Sequence, residues 1–147
     1  MLPLHKSPAV REAIGPVLRG GSNITLTEPL DYFDFTASLA DADLILTDSG
    51  GLQEEAPSLG KPVLVLRETT ERPEAIEAGA ARLVGTRPDS VYQAAAWLLD
   101  DADSYENMAQ TVNPFGDGHA AERIVSRLAT DMTASSRVSP TSGIHPL

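Results

Sequence analysis

Apolar, strand-like runs recur about every 20 residues, near positions 24, 44, 63 and 82, and the segments between them carry helical spacing. This rhythm constrains the fold more than any other feature. Strands alternating with helices at that interval predict right-handed βαβ units, because parallel neighbours need a crossover and the crossover helix must cover a face of the sheet. The expected class is α/β with three layers, a parallel Rossmann-like sheet between helices.

The helices are marked by their ends. Ser7-Pro8 reads as an N-cap and first helical position, with Val10, Ile14, Val17 and Leu18 on one face until Gly20-Gly21. Asn23 to Thr27 reads as a short strand. Asp31 caps a second helix whose Tyr32, Phe35 and Leu39 form an apolar stripe expected in the core. Pro73 to Ala78 is a short helix stopped by Gly79, followed by a strand at Arg82 to Val84. Pro88-Asp89 opens another helix, with Val91, Ala95 and Leu98 on its apolar face, and Asp103 to Gln110 forms the next. A helix from about His119 to Met132 is expected to turn Ala121, Ile124, Val125 and Leu128 inward. The Ser, Thr and Pro content of residues 133–147 predicts a disordered tail, leaving residues 1–132 as the folded unit.

The chemistry is concentrated from Leu44 to Pro73. Leu44 to Leu46 and Val63 to Leu66 read as buried strands, and Thr47 to Gly51 as a polar turn into a helix beginning near Leu52. Unpaired N–H groups and the positive end of the dipole make a helix start an anion site, and Ser49, Gly50 and Gly51 let a phosphate approach the backbone. The turn lies at the carboxyl end of a parallel strand, where open α/β sheets place ligands. Glu54 and Glu55 follow. One serves the helix dipole, while Glu55, more than a turn beyond Ser49, can reach a ribose whose phosphates rest on the turn. Pro57 should end or kink this helix. Arg67 and Arg72 stand on the same sheet edge, where they either suit a diphosphate or pair with Glu68, Glu71 or Glu74.

Composition excludes other chemistries. The chain of 147 residues has no cysteine, so disulfides, thiol catalysis and zinc-thiolate sites are absent, as suits a reducing cytoplasm. Its three histidines, His5, His119 and His145, lack metal-motif spacing and have no partners for a triad, so no metal or cofactor is expected. A formal net charge of −10 disfavours nucleic acid and anionic membranes as partners. A small anion remains admissible because Lys61, Arg67 and Arg72 act locally within the Debye length. No apolar run reaches bilayer-spanning length, and Met1 to Pro8 lacks a signal-peptide core. The abrupt opening, Met1-Leu2-Pro3-Leu4-His5, is that expected of a chain beginning inside a larger domain.

The run from Leu46 through Asp48-Ser49-Gly50-Gly51-Leu52-Gln53-Glu54-Glu55-Ala56-Pro57 to Lys61-Pro62-Val63-Leu64, then Arg67 and Thr69-Thr70-Glu71-Arg72-Pro73-Glu74, resembles the non-hydrolysing UDP-N-acetylglucosamine 2-epimerases. The likeness extends to Pro3-Leu4-His5, to Arg82-Leu83-Val84-Gly85-Thr86 and to Asn113-Pro114-Phe115-Gly116-Asp117-Gly118. It implies the second domain of a glycosyltransferase-B type two-domain fold, with the first domain absent. It also implies interconversion of UDP-N-acetylglucosamine and UDP-N-acetylmannosamine by elimination of UDP to a 2-acetamidoglucal and re-addition, serving surface polysaccharide synthesis. By this resemblance Ser49 and Gly51 hold the diphosphate within the Ser49-Gly50-Gly51 turn, Glu55 holds the ribose, Arg72 contacts the nucleotide sugar and Phe35 lies near the uracil. His5 matches a histidine associated with a second, regulatory nucleotide-sugar site, and the full-length family implies a homodimer. The family's essential carboxylates and its G-H-R-x-E-N histidine have no counterpart here, so no catalytic residue is expected in this chain, and Phe115 replaces a common tyrosine. A stand-alone UDP-binding module and a glycosyltransferase-B domain are the alternatives; the latter lacks the Thr69-Thr70-Glu71-Arg72-Pro73 run.

Overall fold

A computed structural model describes residues 1–135 of the chain. Among the described residues, five strands alternate with helices up to α5, as the sequence rhythm requires, and two further helices follow: β1 (Leu2–Pro3), α1 (Pro8–Leu18), β2 (Leu26–Thr27), α2 (Tyr32–Asp41), β3 (Ile45–Thr47), α3 (Gly50–Glu55), β4 (Val63–Val65), α4 (Pro73–Ala78), β5 (Ala81–Leu83), α5 (Pro88–Asp100), α6 (Ala102–Ala109) and α7 (Ala120–Ser135). All strand pairings are parallel. β3, β4 and β5 are joined in that order, with Ile45 opposite Val63 and Val63 opposite Ala81. β1 and β2 form a separate pair, with Leu2 opposite Leu26.

The three layers meet at β4. Alternation sends Val63 and Val65 to one face and Leu64 to the other, and all three are fully buried. On the first face they pack with Leu39 of α2, Ile45, Ala56, Ala75 of α4 and Ala81. On the second, Leu64 packs with Ala94 and Leu98 of α5, supported by Leu44, Val84 and Met108. The fold is thus α/β and Rossmann-like, as its strand rhythm predicts.

Local chemistry sets the boundaries. The Asp31 carboxylate accepts the Asp34 N–H at 2.9 Å, capping α2, and Asp101 accepts the Ser104 N–H at 3.0 Å, capping α6. Gly79 ends α4 at φ 83°, a left-handed conformation that suits glycine. Pro57 acts as expected: α3 stops at Glu55 and continues only as a 3-10 turn over Ala56–Leu59.

Several expectations fail for tertiary reasons. Val17 and Tyr32 are 78% and 66% exposed, so their helices bury a narrower stripe than the spacing suggested. Ile124, Val125 and Leu128 of α7 are also exposed, because no described element packs over that face. Helix α7 reaches Ser135, so residues 133–135 are helical where a tail was expected; the remainder of that tail lies outside the described residues. β1 was not anticipated, since two residues including a proline give no periodic signal.

Candidate functional site

The site grows from the carboxyl end of β3. Thr47, the last strand residue, is buried, and its hydroxyl oxygen accepts the Ser49 N–H at 3.0 Å, folding the chain sharply into α3. The helix begins at Gly50 rather than near Leu52, because Ser49 already has the extended dihedrals of an N-cap, φ −78° and ψ 130°. Gly50 and Gly51 are therefore its first residues, and neither has positive φ. What Gly50 requires is space: a Cβ there would fall 2.5 Å from Glu71 Oε1. The Ser49 hydroxyl makes no capping bond and the residue is exposed.

A buried amide ties this turn to the loop after β4. Gln53 has no exposed surface; its Nε2 donates to the Ser49 carbonyl at 3.2 Å, and its Oε1 accepts the Thr70 hydroxyl at 2.5 Å. Thr70 Oγ1 in turn accepts the Arg72 backbone N–H at 3.0 Å. Ser49, Gln53, Thr70 and Arg72 are thus one chain of hydrogen bonds, and each buried polar group along it is satisfied. Sequence reasoning gave Gln53 no role. The available signal was its i, i+4 spacing from Ser49, which puts both on one side of the helix.

The charged groups then sort themselves. Arg72 Nε forms an ion pair with the Glu54 carboxylate, and Arg72 Nη1 donates to the Glu71 carbonyl at 3.1 Å. Its hydrogen bond to Glu54 raises the Arg72 pKa, keeping the guanidinium charged. Arg67 pairs with Glu71 at 2.7 Å. The Glu71 carboxyl lies below its ordinary range, first because its own backbone N–H bonds to it and then because Arg67 and Arg72 stand nearby. Of the pairings anticipated, Arg67 takes Glu71, while Arg72 takes a residue outside the set considered. Glu55 is exposed and has neither a hydrogen bond nor an ion pair among the described residues.

The Asn113-to-Gly118 loop closes over the back of α3. Asn113 Nδ2 donates to the Glu54 carbonyl at 3.2 Å and to Ser58 Oγ, while Asn113 Oδ1 accepts the Phe115 N–H at 3.0 Å. Phe115 thereby packs against the core under α3. Phe35 is half-buried against the same core and lines an apolar groove shared with Leu52 in the first turns of α3. The core placement read from its spacing and a position near the turn are therefore compatible. His5 stands apart, at the end of β1: its Nδ1 accepts the Ser7 N–H at 3.1 Å and its carbonyl accepts Arg11 Nε at 3.2 Å, which secures the start of α1.

This geometry offers an exposed hydroxyl and two glycines at a helix start, a free carboxylate on the same helix and two guanidinium groups across from them. Among the described residues no group of three His, Asp or Glu side chains is arranged to hold a metal, and no helix is long and apolar enough to cross a membrane.

Comparison with known proteins fits the geometry. A family model described as UDP-N-acetylglucosamine 2-epimerase matches residues 1–129. The Bacillus subtilis UDP-N-acetylglucosamine 2-epimerase is 54% identical over 126 residues, covering 86% of this chain and 33% of that protein. Among solved structures, the Neisseria meningitidis UDP-GlcNAc 2-epimerase bound to UDP-GlcNAc superposes with a TM-score of 0.80 at 47% identity, covering 87% of this chain and 35% of that one. An S. aureus protein in complex with UDP gives a TM-score of 0.82 at 50% identity, over 89% and 36% of the two chains. The chain spans about a third of the length of the curated relatives it matches. With a family model covering most of its length, the chain belongs to the UDP-N-acetylglucosamine 2-epimerase family.

Proposed function

We propose that this chain is the UDP-binding part of a UDP-N-acetylglucosamine 2-epimerase, in the second domain of a glycosyltransferase-B type fold. The Ser49-Gly50-Gly51 turn receives the diphosphate, with Ser49 Oγ and the Gly51 N–H as donors. Glu55 accepts both ribose hydroxyls, Arg72 neutralises the phosphates, and Phe35 borders the uracil. One observation carries this reading: of two adjacent glutamates, Glu54 is engaged by Arg72 and Glu55 is left free on the exposed side. A carboxylate without a partner at the last residue of α3 is available to a diol. The relatives solved with UDP and with UDP-GlcNAc support the ligand class.

The substrate pair is UDP-N-acetylglucosamine and UDP-N-acetylmannosamine, and the residues of this chain bind UDP without themselves moving protons. Catalysis requires an acid and a base placed on the sugar from an opposing wall, together with exclusion of water, and most transition-state stabilisation resides there. An NMR titration with UDP should shift the Ser49 to Glu55 and Arg72 resonances, while incubation with UDP-N-acetylglucosamine should give little C2 epimer. Rapid epimerisation by the chain alone would overturn the division of labour. Absence of shifts would overturn the binding assignment.

A further inference from the structure

A groove of about 730 Å³ lies between β5 and α5. Ser90, Gln93 and Trp97 recur at i, i+3 and i+7 along α5, so they share one face of that helix, and this face lines the groove. The other lining comes from Arg82 of β5, from Arg67 and Glu68 in the loop after β4, and from Arg87 just ahead of α5. Its size is that of a small-molecule site.

The charge of the groove opposes that of the chain. The sequence holds 11 Lys and Arg against 21 Asp and Glu, so a lining drawn evenly from its charges would be acidic. Here three arginines face one carboxylate, Glu68. Among the described residues neither Arg82 nor Arg87 is ion-paired. Arg82 lies instead over the Trp97 ring, its Cζ 4.7 Å from the centroid. A ring face orients a guanidinium without taking up its N–H donors, as a carboxylate would. Arg67 gives one bond to Glu71, at 2.7 Å, and keeps the remaining donors of its fork. Glu68 is set against Gly85, where an added Cβ would fall 2.7 Å from its Oε1. Three like charges gathered in one groove repel one another, and an anion entering there relieves that repulsion.

We propose that the groove between β5 and α5 binds a small soluble polyanion carrying two or more phosphate groups. Guanidinium forks match phosphate oxygens in pairs, and three of them from separate elements suit more than one phosphate. The Trp97 face that a nucleobase would stack on is held by Arg82, so recognition here is by charge rather than by a ring. The net charge of −10 repels an anionic membrane at long range but acts weakly on a small ion beside the arginines. Ser49, Gly51, Glu55 and Arg72 form no part of the lining, so this inference does not rest on the UDP assignment.

The test is an NMR titration of the ¹⁵N-labelled chain with inorganic tripolyphosphate at constant ionic strength. The Gly85 and Ser90 amides and the Trp97 indole N–H should shift saturably in the sub-millimolar range. Arg82→Gln and Arg87→Gln should each weaken binding tenfold or more. The second of these changes a side chain with no ion pair among the described residues, so it reads binding apart from folding. Glu68→Gln should tighten binding, since it removes the one opposing charge. Absence of saturable shifts at these three groups overturns the proposal, as does unchanged affinity in Arg87→Gln. Equal shifts with sulfate at the same ionic strength would overturn it by showing a diffuse ion atmosphere. Tighter binding of an acetylated hexaglutamate peptide than of tripolyphosphate would overturn it in favour of an acidic protein partner.

Discussion

Arg72 and Glu54, eighteen positions apart in sequence, form an ion pair that ties the loop after β4 to helix α3. The pair occupies one of two neighbouring carboxylates and leaves Glu55 free. Glu54→Gln should therefore leave UDP affinity unchanged or improve it, since it removes a negative charge and frees Arg72. Glu55→Gln should weaken UDP about tenfold or more through loss of a charged acceptor, about 1.5 kcal/mol or more. Isothermal titration with UDP separates them, and the reverse ranking would reassign the ribose contact. Neither change should cost much stability, because the side chains of both paired residues are about a third exposed or more and such pairs contribute about 0–1 kcal/mol.

Gly50→Ala separates binding from folding. The added methyl would meet only the carboxylate end of Glu71, which can swing away, so the expected stability loss is under about 1 kcal/mol. UDP binding should fall by a larger factor, because the methyl occupies the approach to the helix start. Parallel urea melts and UDP titrations check this; equal losses in both would show that Gly50 serves the fold alone.

Gln53→Leu should cost about 1–3 kcal/mol. It removes the donor to the Ser49 carbonyl and leaves the Thr70 hydroxyl without its acceptor, and Gln53 is fully buried. Thr70→Val should cost less in this background than alone, since the Gln53–Thr70 bond is already lost, whereas the Arg72 N–H loses its acceptor in either case. A double-mutant cycle read by urea midpoint measures the coupling, and strictly additive losses would contradict a shared network.

Acid should destabilise the chain through carboxylates held low in the folded state. Glu71 is depressed by its own N–H and by Arg67 and Arg72, Glu28 by Arg11, and Asp117 by Arg123 and the His119 N–H. Each contribution is fully present above the unfolded carboxyl pKa, about 4, and is lost as pH falls through the lower folded value. Urea midpoints should hold near neutral pH and drop below about pH 4. The drop should be shallower in Glu71→Gln, and an unchanged acid limb in that variant would remove Glu71 from the account.

The exposed face of α7 yields the opposite kind of expectation. Ile124 and Leu128 are 58% and 57% exposed, so Ile124→Asp and Leu128→Asp should each change stability by no more than about 0.5 kcal/mol. A loss above about 2 kcal/mol in chemical denaturation would mean that this face is covered in solution.

The sequence alone determined what depends on neighbours along the chain. Strand and helix alternation, the Asp31 cap, the stop at Gly79 and the break at Pro57 follow from dihedral preference, periodicity and missing donors, all expressed over a few residues. The resemblance of the Ser49-Gly50-Gly51 run to its family was legible for the same reason, because the motif is contiguous. Partner choice was not. Arg72 could pair with any of several glutamates, and packing of the loop after β4 against α3 selected Glu54, while Gln53 acquired its role only when Ser49 and Thr70 were brought together. Periodicity likewise showed that α7 has an apolar face but could not say what covers it, and regular strand spacing could not reveal that β1 and β3 stand apart across a groove. Local pattern fixes which elements form, whereas hydrogen-bond partners and burial depend on which elements meet in space, and that is decided by the tertiary structure.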